Sequence, residues 1–316
     1  MNHYFNRVLL LTALAMFLIA SPLVVFAQRS RKPSAPQAAS SKSIVVRTEP
    51  KAVVWLDEVR RGVTDDAGRL TLSKVSAGRH TLRVRAKGFK ETTVAIAPAS
   101  RGAIDVKLVR TSDEAELIFQ QAEEARESAR DEEARKQAAE AYRRALKLRS
   151  RFAAAHLGLA RVLLDLNDYN TALEEINAAR AARAVYPEAS AVEGRILRMA
   201  ADTNAAMDSF RRAIREARGF QPEAHTGLAL LLEEKGRYEE AVEEFRAAIN
   251  QLSDTEPVLY QLLGAAYEKL QKYKEAVAAY EKYLELAPEG TLAPAVRSIL
   301  DQLRLQAQEQ ENAPSN

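Results

Sequence analysis

PVLYQLLGAAYEKLQKYKEAVAAYEKYLELAPEG, residues 257–290, decides the fold of the larger part of this chain. Apolar and small side chains recur every three to four residues through two stretches, the period of a pair of amphipathic helices. In the second stretch Ala276 is followed four residues on by Tyr280 and three further by Tyr283, so the three share one helical face. A small residue lets a neighbouring helix approach closely, and the bulky one beside it fills the seam. In the first stretch Leu263, Gly264 and Tyr267 form the matching surface, and Tyr273 marks the turn between the two.

Working outward, the same arrangement repeats. Ala138, Ala172, Ala206, Ala241 and Ala276 stand 34, 34, 35 and 35 residues apart. Four residues after each comes Tyr142, Ile176, Phe210, Phe245 or Tyr280, and three further Ala145, Ala179, Ala213, Ala248 or Tyr283. The preceding helices carry their own small positions at Ala160, Gly194, Ala229 and Gly264. A helical hairpin of this kind leaves one apolar face open and must stack on a neighbour, so the period predicts a solenoid. About five hairpins are expected over residues 113–290, with second helices centred on the five alanines. A polar-backed capping helix is expected over 291–309, and residues 310–316 are expected to form a disordered tail.

These residues resemble the tetratricopeptide repeat, with Pro257–Gly290 the best match, ending on Pro288 as that family's repeats do. The resemblance implies an interaction scaffold whose first helices line a concave groove. Carried over position by position, the groove residues are Leu157, Arg161, Leu164 and Asp165, then Ala191, Arg195, Arg198 and Met199. The next two repeats supply Thr226, Leu230, Glu233 and Glu234, then Gln261, Ala265, Glu268 and Lys269. The family's clamp for a terminal carboxylate uses Lys and Asn at the first two of each four, and this chain has neither there. An arginine patch beside a glutamate patch remains, suited to a dipolar or mixed-charge segment of a protein partner.

Ahead of the repeats, residues 43–110 change period. Short β-rich runs (Ile44–Val46, Val53–Leu56, Leu70–Leu72, His80–Arg85, Thr93–Ile96 and Ile104–Leu108) alternate with turn residues such as Glu49-Pro50 and Asp65-Asp66-Ala67-Gly68. They predict a small antiparallel sandwich with Trp55 in its core. The runs TEPKAVVWLDEVRRGVT and SAGRHTLRVRAKGF resemble a PEGA domain, and VTDDAGRLTLSKVSAGRHTLRVRAKGF also resembles the carboxypeptidase-regulatory-like sandwich. Either implies a non-catalytic module in an extracytoplasmic setting. PEGA modules usually carry glycine after the aspartate of the second strand, whereas Glu58 follows Asp57 here.

The first 27 residues have the layout of an export signal: Arg7, an apolar run from Val8 to Ala20, the Ser21-Pro22 break and Val25-Phe26-Ala27 before a cut at Gln28. An uncleaved anchor over Val8–Ala27 is the alternative, favoured by Arg29, Arg31 and Lys32 just downstream. Residues 28–42 form a flexible Ser/Ala/Pro spacer. Export to the periplasm or cell surface is therefore expected.

Charge is divided along the chain. Residues 1–112 carry 19 Lys+Arg against 7 Asp+Glu, and residues 113–316 carry 27 against 36. The basic β module offers a second reading, contact with an anionic envelope polymer or surface glycan, with the solenoid as spacer. Cysteine is absent, which excludes disulfides, thiolate metal sites, a cysteine nucleophile and a lipidated N-terminal cysteine. His156 and His225 occupy the same position two repeats apart, about 20 Å along a solenoid, too far to share a metal, and are expected as packing residues. Asp65 and Asp66 are expected as turn formers. No phosphate loop, His-Glu-x-x-His or dinucleotide glycine pattern appears, so no catalysis, cofactor, metal or nucleic acid is expected.

Overall fold

Alternation places Ile44 and Val46 on one face of strand β1 (Lys42–Arg47) and Leu72 on the facing side of β4 (Arg69–Val75), and a shift of register between the two strands brings Val75 into the same core. Opposite them lie Val54 and Leu56 of β2 (Val53–Leu56), Leu82 and Val84 of β5 (His80–Arg85) and Ile96 of β7 (Thr92–Ile96), all in one buried core. The computed structural model describes residues 42–57, 59–75, 79–100, 102–252 and 254–312, all within one compact unit, Ser40–Asn316. The export signal or anchor and the spacer as far as residue 41 lie outside the described residues, as do 313–316.

Two sheets enclose this core. One has the order β4-β1-β8, with β8 spanning Gly102–Asp105, and the other has the order β3-β2-β5-β7, with β3 spanning Val59–Val63. The short strands β6 (Phe89–Lys90) and β9 (Val109–Arg110) form a third ladder. The module is not purely antiparallel, because β1 and β8 run parallel, Ile44 opposite Gly102 and Arg47 opposite Asp105. The polypeptide between them is long enough to cross over to the other sheet and return, which a parallel pair requires. Only part of the last expected run is strand: Val106–Leu108 follow β8 outside it.

Asp57 resolves the departure from the glycine-bearing turn. Its φ is 51°, so the aspartate itself takes the left-handed conformation. Its carboxylate fixes the turn by accepting from the Thr81 amide at 2.7 Å and meeting His80 Nδ1 at 2.6 Å. Asp65 behaves as a turn former, accepting from the amides of Ala67 and Arg69.

Eleven helices follow among the described residues: α1 (Glu114–Ser128), α2 (Glu132–Leu148), α3 (Ala153–Asp165), α4 (Tyr169–Ala182), α5 (Pro187–Met199), α6 (Thr203–Glu216), α7 (Pro222–Glu234), α8 (Tyr238–Leu252), α9 (Val258–Lys269), α10 (Tyr273–Leu286) and α11 (Ala293–Asn312). Asp113, Asp131, Asp168 and Asp202 cap four of them by accepting a backbone N–H of the first turn. Pro187 and Pro222 open two others, where a missing N–H costs nothing. The hairpin turns recur as faithfully. Asn167, Ala201, Gly236 and Gln271 each adopt positive φ, and the next amide reaches back to Leu163, Leu197, Leu232 or Tyr267.

The five alanines lie in α2, α4, α6, α8 and α10, all fully buried. The aromatic partners sit against glycine on adjoining first helices. Phe210 packs on Gly194 of its own hairpin and Gly227 of the next, and Tyr280 packs on Gly264. α11 closes the stack through Val296, Leu300 and Leu303 against Tyr280 and Tyr283. It extends to Asn312, so residues 310–312 continue the helix rather than beginning a tail.

His156 and His225 are more than filler. Each ring bridges its hairpin, with Nδ1 on the second-helix carboxylate (Glu175 at 2.6 Å, Glu244 at 2.5 Å) and Nε2 on a carbonyl (Ser150 at 2.8 Å, Gly219 at 3.1 Å). Burial disfavours the imidazolium, but the glutamate and carbonyl acceptors outweigh it and raise both pKa values.

Two outcomes follow from this packing. A Cβ at Gly194 would stand 2.7 Å from the Phe210 ring. Gly194→Leu should therefore lower stability in urea unfolding by about 1–3 kcal/mol, beyond the about 1 kcal/mol that leaving glycine gains in a helix. An unchanged midpoint would mean that the seam yields. The histidine clips carry a pH signature. A raised folded-state pKa contributes stability that is fully present below the unfolded value of about 6.5 and is lost as pH rises through the folded value. Stability measured from pH 6 to 8.5 should fall more steeply in the wild type than in His156→Gln/His225→Gln, and parallel curves would remove the charged-histidine account.

Candidate partner-binding groove

Helix α1 presents Gln120, Glu123, Glu124 and Glu127 toward the β module, which answers with Phe89, Arg85, Lys87 and Arg60. Gln120 donates to the Phe89 carbonyl at 2.7 Å and accepts from the Gly88 amide at 2.9 Å. Arg85 meets Glu123 at 3.0 Å with both side chains buried, and Lys87–Glu124 and Arg60–Glu127 flank it nearer solvent. Glu123 also accepts from Tyr142 and pairs with Arg126. Burial pushes its carboxyl up, yet Arg85, Arg126 and the Tyr142 hydroxyl overcome that and lower it to about 2.

Trp55 belongs to this junction rather than to the module's core. Alternation puts it on the outer face of β2, opposite Arg83 of β5, with the guanidinium groups of Arg83 and Arg85 4.1 and 4.9 Å from its ring. The ring is buried because the helices cover it.

A concave cavity of about 770 Å³ opens between α3, α5, α7 and α9, with Val59 of β3 on its rim. Of the residues expected in the groove, Arg161, Arg195, Arg198, Met199 and Leu230 line it, together with Leu164, Asp165 and Thr226. Met199 and Val258 expose 56% and 42% of their surface there, a large fraction for apolar side chains in a concavity.

The charges are arranged differently from a patch beside a patch. Arg195 reaches Glu223 at 3.2 Å and Arg198 reaches Glu234 at 2.7 Å, so the two signs form a ladder from α5 to α7. Such exposed pairs fix little energy and leave the apolar floor between them.

The remaining expected residues go elsewhere. Leu157 is buried and lines a second cavity, of about 580 Å³, between the β module and helices α1, α3 and α5. Glu268 and Lys269 line a third, of about 410 Å³, whose other wall is α11. Glu268 accepts from the Tyr280 hydroxyl. Glu233, half-buried and raised in pKa by burial, and Gln261 line none of these three, and Ala191 is fully buried. Repeat positions alone missed Val59, Arg83, Arg183, Tyr186 and Gln221, because these lie where the module covers the array. The acidic run Glu123-Glu124-Ala125-Arg126-Glu127, facing a basic module, was the signal that could have found the junction.

Among the described residues no cluster of three His, Asp or Glu side chains could hold a metal ion, and no helix is long and apolar enough to cross a membrane.

Comparison with known proteins agrees with the helical geometry. Tetratricopeptide repeat families match residues 129–196, 191–257 and 258–289. Among curated proteins none matches the sequence. Among solved structures, pilF of Pseudomonas aeruginosa superposes with a TM-score of 0.50 at 18% identity, over 62% of this chain and 96% of that one. MamA gives 0.44 at 26% identity over 49% and 90%, and TTC0263 of Thermus thermophilus gives 0.47 at 20% over 60% and 99%. At such identity the likeness to pilF concerns the fold alone. Residues 129–289 of this chain are a tetratricopeptide-repeat array.

Proposed function

We propose that the protein is a non-catalytic scaffold that holds an extended segment of another protein in the cavity between α3, α5, α7 and α9. The observation that carries this reading is the apolar floor of exposed Met199 and Val258 and partly buried Leu230, fenced by the Arg195–Glu223 and Arg198–Glu234 pairs. Apolar side chains of a partner gain by leaving water there, while the rim charges set register and encounter rate.

The β module, with its two sheets on a common core, is a PEGA-like or carboxypeptidase-regulatory-like sandwich, and the N-terminal sequence directs export to the cell envelope. The module's cations weigh against its serving chiefly as a polymer-binding surface. Arg60, Arg85 and Lys87 face carboxylates of α1, which leaves less of its positive charge for an envelope polymer.

A photoreactive residue in place of Met199 should crosslink in cells to a discrete partner, whereas the same residue in place of Arg144, exposed on α2, should not. Equal adducts from both positions, or from neither, would place the working surface elsewhere. Fractionation of the same cells tests export, and a purely cytoplasmic protein would overturn it.

A further inference from the structure

Three arginines from three elements gather with Glu188 around Tyr186 where the β module meets the array. Arg83 comes from β5, Arg161 from α3 and Arg183 from the end of α4, and all three line the cavity of about 580 Å³. The Arg183 guanidinium lies 4.5 Å from the centre of the Tyr186 ring. The other arginines of this cavity are engaged: Arg60 with Glu127, Arg83 with Glu91, and Arg85 and Arg126 with Glu123. Among the described residues, neither Arg161 nor Arg183 forms an ion pair, although Arg161 is near enough to Glu123 to help lower its pKa. Every other arginine of this space is paired, and these two guanidinium groups share it with the carboxylates of Asp57, Glu91, Glu123, Glu127 and Glu188 without a direct ion pair.

Arg161 also lines the neighbouring cavity, the one floored by Leu164, Met199, Leu230 and Val258. The two spaces thus meet at a cation. One side sets Trp55, Tyr186 and Phe220 among arginines and carboxylates, and the other has an apolar floor between charged pairs. A planar guanidinium fork suits a carboxylate held through two parallel N–H donors.

We infer that this junction binds an acidic-apolar peptide segment, its carboxylates held by Arg161 and Arg183 while the adjoining apolar side chains lie across Met199 and Leu230. The inference rests on the groove reading above and adds the chemistry of the occupant. It also gives the β module a share in recognition, as the wall bearing Trp55 and Arg83. A small free oxyanion would meet the arginines but leave the apolar floor uncovered, which is why a peptide is the better occupant.

The test is fluorescence anisotropy on the full chain with a short fluorescein-labelled peptide, leucine-rich in one half and glutamate-rich in the other. A counterpart with lysines for glutamates and inorganic phosphate as competitor complete the set. The acidic peptide should bind the wild type more tightly than the lysine peptide, phosphate should not displace it, and Arg161→Gln/Arg183→Gln should weaken it about tenfold or more. Arg161→Lys, which keeps the charge and loses the fork, should fall between. If the double variant fails to fold by circular dichroism, Arg183→Gln alone, at an exposed position, should still weaken binding. Equal affinity of wild type and folded variant, preference for the lysine peptide, displacement by phosphate, or no binding of the acidic peptide would each overturn the inference. Crosslinking through Met199 separates the two claims. Adducts that persist in the arginine variant with unchanged yield sink this inference alone, whereas their absence in the wild type sinks the groove reading beneath it.

Discussion

A carboxylate buried among two guanidinium groups and a phenol, Glu123, is the constraint on which the arrangement of the molecule depends. Taking a carboxylate out of water is expensive unless every lone pair finds a donor, and removing one partner of such a group costs about 3–5 kcal/mol. Glu123 draws its donors from both parts of the chain, Arg85 from the β module and Arg126 and Tyr142 from the first hairpin. The module is therefore seated against α1 by a group that cannot be left half-satisfied. Its seating in turn places Trp55, Val59 and Arg83 over the array, and so shapes both cavities in which a partner would lie.

The array obeys a simpler rule of volume. Each second helix brings an aromatic or branched side chain to a seam where the first helix has glycine or alanine, and neighbouring hairpins share the same ring. Phe210 touches glycines of two hairpins, so one residue links the stacking within a hairpin to the stacking between hairpins. The recurring left-handed turn residue does the same for the backbone. Alanine at 201 and glutamine at 271 accept the strain of a conformation that glycine adopts freely at 236, which shows that the stack fixes the turn more firmly than the local residue does.

Regular features of this kind are legible in sequence because the cause repeats. The spacing of Ala138, Ala172, Ala206, Ala241 and Ala276 reports a seam that recurs every hairpin. Contacts made once are not legible in the same way. Trp55 reads as a core residue from its type, and only the β2 alternation against a packed α1 reveals that it faces outward into a junction. Leu157 and Glu268 occupy groove positions by register, yet the β module covers one and α11 the other. His156 and His225 fill the place of a large aromatic, but their two ring nitrogens find acceptors 19 and 6 residues away, a pairing that depends on the hairpin having closed.

The charge asymmetry of the chain takes on a specific meaning in this light. A basic front and an acidic back suggest two surfaces for two outside partners, but part of the asymmetry is consumed internally. Arg85, Lys87 and Arg60 meet Glu123, Glu124 and Glu127 within about one turn of one helix. These contacts are not equivalent. Lys87 and Glu124 are largely exposed, so salt and water screen them and they contribute little. Arg85 and Glu123 are buried, so their attraction persists at high ionic strength, and the outer pairs steer a docking that the inner pair holds. What survives this internal cancellation is Arg161 and Arg183, which form no ion pair among the described residues although Glu123 and Glu188 line the same concavity. A direct ion pair on these two guanidinium groups therefore takes a carboxylate from a partner, entering a space that Glu123 and Glu188 already share.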